Sequence, residues 1–187
     1  KEVLEQHRVP PAVRDEWLAE WMPKLTSAET PINPYRVVWE LQQALDVTKT
    51  IATHDAGSPR DQVAPFWTAP VPHSYIGWGK STHLGYGLAL AMGAKLARPE
   101  RPVLCLTGDG GLNMVLADLG TAVKYKLGLT VVVADNGEYA LEAHKQQMDG
   151  YPSFGQEFVN PDFAGVARGM GAQGHTLAAA GDLPGLI

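Results

Sequence analysis

Val103-Leu104-Cys105-Leu106-Thr107-Gly108-Asp109-Gly110-Gly111 carries the strongest structural signal in the chain. Five apolar or β-compatible residues make a run of strand length, and the glycines that follow predict a sharp turn. Leu112, Val115, Leu116, Leu119 and Val123 then recur at helical spacing, and Gly128 closes that helix. Leu129-Thr130-Val131-Val132-Val133-Ala134 follows as a second buried strand. Both strands are apolar on both faces, as a parallel sheet covered by helices requires. The unit is therefore β-turn-α-β.

Upstream, Gly77-Trp78-Gly79-Lys80-Ser81-Thr82-His83 precedes a helix with Leu84, Leu88 and Met92 or Leu96 on one side, stopped by Pro99. Before a proline-rich stretch from Val63 to Pro72, Thr50-Ile51-Ala52-Thr53 predicts a short strand running into the polar loop His54-Asp55-Ala56-Gly57-Ser58-Pro59. Asn33-Pro34 reads as an N-cap with proline at the first helical position, followed by an apolar face of Val37, Val38, Leu41 and Leu45 that ends near Asp46. Residues 1–31 differ. Val13, Trp17, Leu18 and Trp21 predict a short helix before Pro23, Pro10-Pro11 and Thr26 to Pro31 read as breaks, and the whole reads as a linker preceding one domain over 32–187. The Trp17 and Trp21 spacing predicts packing rather than a binding platform. Downstream, Asn160-Pro161 repeats the N-cap-proline start for a helix to about Met170, and Ala172 to Leu177 is a candidate last strand. The fold class is α/β, an open, mostly parallel sheet with helices on both faces. Ligands of such sheets bind outside the carboxyl ends of the strands, which singles out residues 54–59, 108–111 and 135–139.

Composition narrows the partners. The 187 residues carry 15 basic and 20 acidic side chains, a formal charge of −5, with no basic cluster that would mark nucleic acid or a membrane surface. One cysteine excludes a disulfide framework and favours a reducing compartment, and Lys1 to Gln6 shows no signal-peptide pattern, so a cytoplasmic location is expected. No apolar run is long enough to span a bilayer.

A glycine-rich turn between a strand and a helix suggests phosphate, since the helix start offers free N–H donors. Asp109 sharpens this. A bare carboxylate there would repel phosphate, and a cation between them resolves the conflict. Magnesium takes oxygen ligands, few of them from the protein, and Asp135-Asn136-Gly137-Glu138 at the end of the next strand brings further oxygens. A Rossmann fingerprint fails because position 113 is Asn, and Gly79-Lys80-Ser81 mimics a P-loop ending without the glycine five residues earlier or a preceding strand.

Gly108-Asp109-Gly110 followed at this distance by Asn136 resembles the thiamine-diphosphate motif of the acetolactate synthase, benzoylformate decarboxylase and pyruvate oxidase superfamily. Gly85-Tyr86-Gly87-Leu88, Gly93 to Ala97 and Leu119 to Tyr125 agree with it, so the resemblance covers about residues 33–177. It implies the pyrophosphate-binding domain of that superfamily. Asp109 and Asn136 would ligate Mg2+ through their side chains, and Glu138 through its backbone carbonyl. Gly108, Gly110 and Gly111 would border the diphosphate, as would the Asp55, Ala56, Gly57, Ser58 loop. Leu84 would prop the cofactor into its bent form, with Thr82 and His83 on the pyrimidine side and Tyr139 near the site. Asp135 replaces the commoner first Asn of the motif, at a position that is not a ligand. Leu84 replaces the Met usual in acetolactate synthases, and Gly137-Glu138-Tyr139-Ala140 is closer to the decarboxylase and lyase branches.

The resemblance also implies an activating glutamate in a separate pyrimidine-binding domain of a partner subunit. No catalytic residue is therefore assigned here, the end at Pro184-Gly185-Leu186-Ile187 reads as premature, and these residues alone are expected to be inactive. The expected whole is a homodimer or homotetramer acting on a 2-keto acid or related carbonyl compound. FAD is left open, because its site would lie in a middle domain. The competing reading is a non-catalytic domain that binds another phosphorylated ligand or serves assembly or regulation. Among single residues, Asx turns are the plain alternative for Asp109 and Asn136, His54, His83 and His144 read as solvated, Cys105 as inert core, and Glu142 to Lys145 as a solvated helix face.

Overall fold

The computed structural model describes residues 11–77 and 81–186. Pro10, the Gly79-Lys80 pair and Ile187 lie outside them. The first helix, α1 (Pro11–Leu25), continues through Pro23 instead of stopping before it, because a proline this close to the end removes only one late backbone bond. Asn33 caps α2 (Pro34–Ala44) as expected, its side chain accepting from Tyr35 N at 3.0 Å. Then come β1 (Ile51–His54), α3 (Ser58–Val63), β2 (Tyr75–Ile76), α4 (Tyr86–Ala97), β3 (Val103–Gly108), α5 (Asp109–Val115), α6 (Asp118–Lys124), β4 (Thr130–Ala134), α7 (Ala140–Met148), α8 (Phe163–Gly169) and a 3₁₀ turn at Ala180–Gly185. No described helix is long and apolar enough to cross a membrane.

The sheet is wholly parallel, in the order β2-β1-β3-β4. Alternation along its strands builds two cores. Ala52, Leu104, Leu106 and Val132 face a cluster with Leu25, Val38, Leu41, Val63 and Phe66 from the α1, α2 and α3 side. Ile51, Val103, Cys105 and Val131 face Ala91 and Ala94 of α4 on the other. Trp17 stacks on Phe66 at 5.0 Å and Trp21 meets Phe66 at 5.2 Å and Tyr35 at 5.0 Å, so both indoles pack.

Five expectations change in detail. The helical stripe after Gly111 is two helices, joined by i to i+3 bonds from Leu119 N to Leu116 O and Gly120 N to Ala117 O. The face of α4 that is buried holds Gly87, Leu88, Ala91 and Ala94, with Leu96 64% exposed and Leu84 ahead of the helix. β4 is only half-buried, since it is the sheet edge among the described residues, and Ala172 to Leu177 adds no strand beside it. A strand, β2, does precede Gly77, but position 74 remains Ser, so the P-loop reading still lacks its glycine.

Candidate functional site

β1 and β3 are neighbours, yet the chain leaves β1 towards β2 and leaves β3 towards β4. Their carboxyl ends therefore flank a crevice at a topological switch point. A buried aspartate stands at each end.

Asp55 is 0% exposed. Its Oδ1 accepts from Ala56 N at 2.6 Å, Gly85 N lies 3.0 Å from Oδ1 and 2.9 Å from Oδ2, and Thr107 Oγ1 donates to Oδ2 at 3.0 Å. The carboxylate thus joins the ends of β1 and β3 to the loop before α4. Gly85 sits at φ +85°, a left-handed conformation suited to glycine, and this lets its N–H turn to Asp55. At Gly111 a Cβ would stand 2.8 Å from Asp55 Oδ2, so glycine is what lets the start of α5 lie against this group. The stretch after β1 is not simply a polar loop: Ala56 is buried, Gly57 precedes α3, and Ser58 is its first residue. Nor is His54 solvated. It ends β1 at 5% exposure, its Nδ1 donates to Asp55 O at 3.0 Å, and its ring stacks on Tyr75 at 5.2 Å.

Asp109 opens α5 directly from β3, with no intervening turn, and is 2% exposed. Pairing of Gly108 with Ala134 sets it beside residues 135–137. Its Oδ2 accepts from Asn136 N at 2.9 Å, Gly137 N at 2.7 Å and Asn160 Nδ2 at 2.7 Å, whereas Oδ1 accepts only from Gly110 N at 2.7 Å. One oxygen is saturated and the other keeps lone-pair capacity. Asn136 is exposed, its Nδ2 3.4 Å from Glu138 Oε1. The bridge between Glu138 and Glu157 is closed by Tyr139 N to Gln156 O and Phe158 N to Gly137 O, which leaves the Glu138 carbonyl unused by that pairing.

This donor set suits a hard cation. No three His, Cys, Asp or Glu side chains converge as a metal site among the described residues. A carboxylate oxygen, an amide oxygen and a backbone carbonyl are instead the few protein oxygens that Mg2+ uses when phosphates and water complete its shell.

Tyr139 packs over the start of α5. Its Cε1 would lie 2.5 Å from a Cβ at Gly110, and Phe158 meets its ring at 4.9 Å. Leu84 is half-buried just before the anchored Gly85, while Thr82, at φ +51°, and His83 are exposed. A β-branched residue in the left-handed region is an outlier of the kind that gathers at functional loops. Loops 54–58, 84–85 and 108–111 thus meet on Asp55, and loops 108–111 and 135–138 meet on Asp109. Three participants escaped the sequence reading: Thr107, Asn113 and Asn160. Asn160 does not cap α8, because Asp162 Oδ1 accepts from Gly165 N at 2.9 Å and takes that role.

Comparisons with known proteins identify the family. The family described as thiamine pyrophosphate enzyme, C-terminal TPP binding domain, matches residues 55–187. The Bacillus subtilis protein YdaP is 34% identical over 167 residues, covering 89% of this chain and 29% of its own length. The mitochondrial acetolactate synthase catalytic subunit of Saccharomyces cerevisiae is 31% identical over 173 residues, covering 86% of this chain and 25% of its own. Among solved structures, the thiamine diphosphate-dependent 4-hydroxybenzoylformate decarboxylase of Rhodococcus jostii RHA1 superposes with a TM-score of 0.76 at 28% identity, over 86% of this chain and 30% of that one. The chain therefore spans between a quarter and a third of the length of these relatives. On the family match and these relatives, the chain belongs to the thiamine pyrophosphate enzymes and carries their C-terminal TPP-binding domain.

Proposed function

We propose that this domain binds the diphosphate of thiamine diphosphate through Mg2+ held by the side chains of Asp109 and Asn136 and the carbonyl of Glu138. The observation that carries the reading is the uneven use of the Asp109 carboxylate, in which three donors anchor Oδ2 and Oδ1 accepts one. Backbone groups of Gly110, Gly111 and residues 55–58 border the diphosphate, and Asp55 contributes by fixing that backbone, since its own carboxylate is enclosed. Leu84, Thr82, His83 and Tyr139 line the organic part of the cofactor. When bound, thiamine diphosphate supplies the electron sink for making or breaking a carbon-carbon bond next to a carbonyl, and the protein supplies position and electrostatics.

The reaction belongs to the larger protein, as a homodimer or homotetramer acting on a 2-keto acid or a related carbonyl compound. Activation of the cofactor falls to a glutamate outside these residues, so residues 1–187 alone are expected to turn over no 2-keto acid. Thiamine diphosphate titrations with and without Mg2+ test the binding reading: saturable binding that needs the metal supports it. Protection of the fold from heat by a nucleotide and not by thiamine diphosphate would overturn it.

A further inference from the structure

We infer that Asn160 is a positioning residue, an amide clamp that holds Asp109 and Asp135 side by side and so presets the carboxylate that receives the cation. The inference rests on the magnesium reading above and deepens it. Asn160 Nδ2 donates to Asp109 Oδ2 at 2.7 Å and to Asp135 Oδ1 at 2.6 Å, while its Oδ1 accepts from Asn113 Nδ2 at 2.8 Å. An amide nitrogen has two protons, and here each goes to a different carboxylate. The bond from Asn113 fixes the orientation, because the reversed amide would turn its oxygen towards two anions. The side chain has no competing duty in the helix that follows, which Asp162 caps.

Two carboxylates that meet at one nitrogen repel each other, and no Lys or Arg pairs with either among the described residues. A cation on Asp109 relieves that repulsion when bound; Asn160 relieves it beforehand. Asp135 thereby adds a second negative charge next to the cation position without being a ligand. The clamp also ties together three segments distant in sequence: α5 through Asn113, the end of β4 through Asp135, and the segment before α8. Groups that orient a metal ligand commonly account for 10- to 100-fold in metal affinity.

The test is a double-mutant cycle on the protein with Asn160→Ala, Asp135→Asn and both together. Two quantities are read: the Mg2+ concentration giving half-maximal thiamine diphosphate binding, and the Tm in chelator. Asn160→Ala should raise the half-saturating Mg2+ about tenfold and lower the metal-free Tm, and adding Asp135→Asn should recover most of the lost Tm. Half-saturation within about twofold of wild type, or a strictly additive Tm cycle, would overturn the clamp. Should Asn160→Ala fold poorly, Asn113→Ala, at an exposed position, serves in its place, with half-saturation rising about threefold, below that 10- to 100-fold span; no change would count against the clamp. Equal binding by wild type with and without Mg2+ would remove the magnesium reading, while the metal-free Tm cycle would still decide whether Asn160 bridges the two carboxylates.

Discussion

Asp55 and Asp109 occupy equivalent places, each directly after a central parallel strand, each buried, and each without a cationic partner among the described residues. They differ in how their oxygens are used. Both oxygens of Asp55 are engaged by donors from the ends of β1 and β3 and the loop before α4. Asp109 concentrates three donors on one oxygen and leaves the other with a single neighbour. Burial is therefore a poor guide to function here. What separates the two is distribution: three donors spread over both oxygens of Asp55, against four on Asp109 of which three share one oxygen.

Asp55→Ala should destabilise the fold by about 3 kcal/mol, because buried donors lose a charged acceptor, and denaturant melts would show it. Loss below about 1 kcal/mol would mean that the latch is not structural. Gly111→Ala should follow at about 2 kcal/mol, since its Cβ would stand 2.8 Å from Asp55 Oδ2 with Thr107 Oγ1 3.2 Å away. Gly110→Ala should cost about 1 kcal/mol, as the Tyr139 ring that it meets can turn aside at its outer end, and a smaller side chain at 139 should recover that loss.

A pH-dependent effect comes from two neutral groups on strands β3 and β2, Cys105 and Tyr75. Burial pushes the Cys105 thiol up to about 12 and the Tyr75 hydroxyl up to about 12. Both folded values lie above the unfolded ones. The unfolded chain then releases its protons first, and stability falls as pH rises from about 9 towards 12. At pH 10 the Cys105 contribution is about 1 kcal/mol, and Cys105→Ala should flatten the Tm profile between pH 9 and 11. An unchanged slope would refute the assignment.

Much of this was legible in the sequence for a local reason. The strand, the Gly108-Asp109-Gly110 turn and the following strand are contiguous, and an apolar run beside a glycine cluster carries its own explanation. Asp109, Asn136 and Glu138 belong to that unit, and Asn136 N and Gly137 N both donate to the Asp109 carboxylate. The latch role of Asp55 depends on Gly85 and Thr107, 30 and 52 residues away, so no local pattern could separate it from a ligand-contacting loop. Asn160 was obscured by its neighbour proline: an Asn-Pro pair reads as a helix cap, and only the fold reveals that Asp162 caps while Asn160 reaches Asp109 across 51 residues. The half-exposed β4 follows from sheet position, which valine content does not encode. His54 shows the same limit, since a histidine before Asp-Ala-Gly reads as loop until Tyr75 is seen stacked on it.

Asp109, and not Asp55, is the proposed cation ligand. Calorimetric titration of Mg2+ in saturating thiamine diphosphate, on wild type, Asp109→Asn and Asp55→Asn, tests it most directly. The expected result is Mg2+-dependent binding by wild type, weakening by more than about 100-fold in Asp109→Asn, beyond the span of an indirect contact, and a metal affinity for folded Asp55→Asn within about tenfold of wild type. Binding by Asp109→Asn at unchanged affinity, or binding by wild type that persists in chelator, would contradict it.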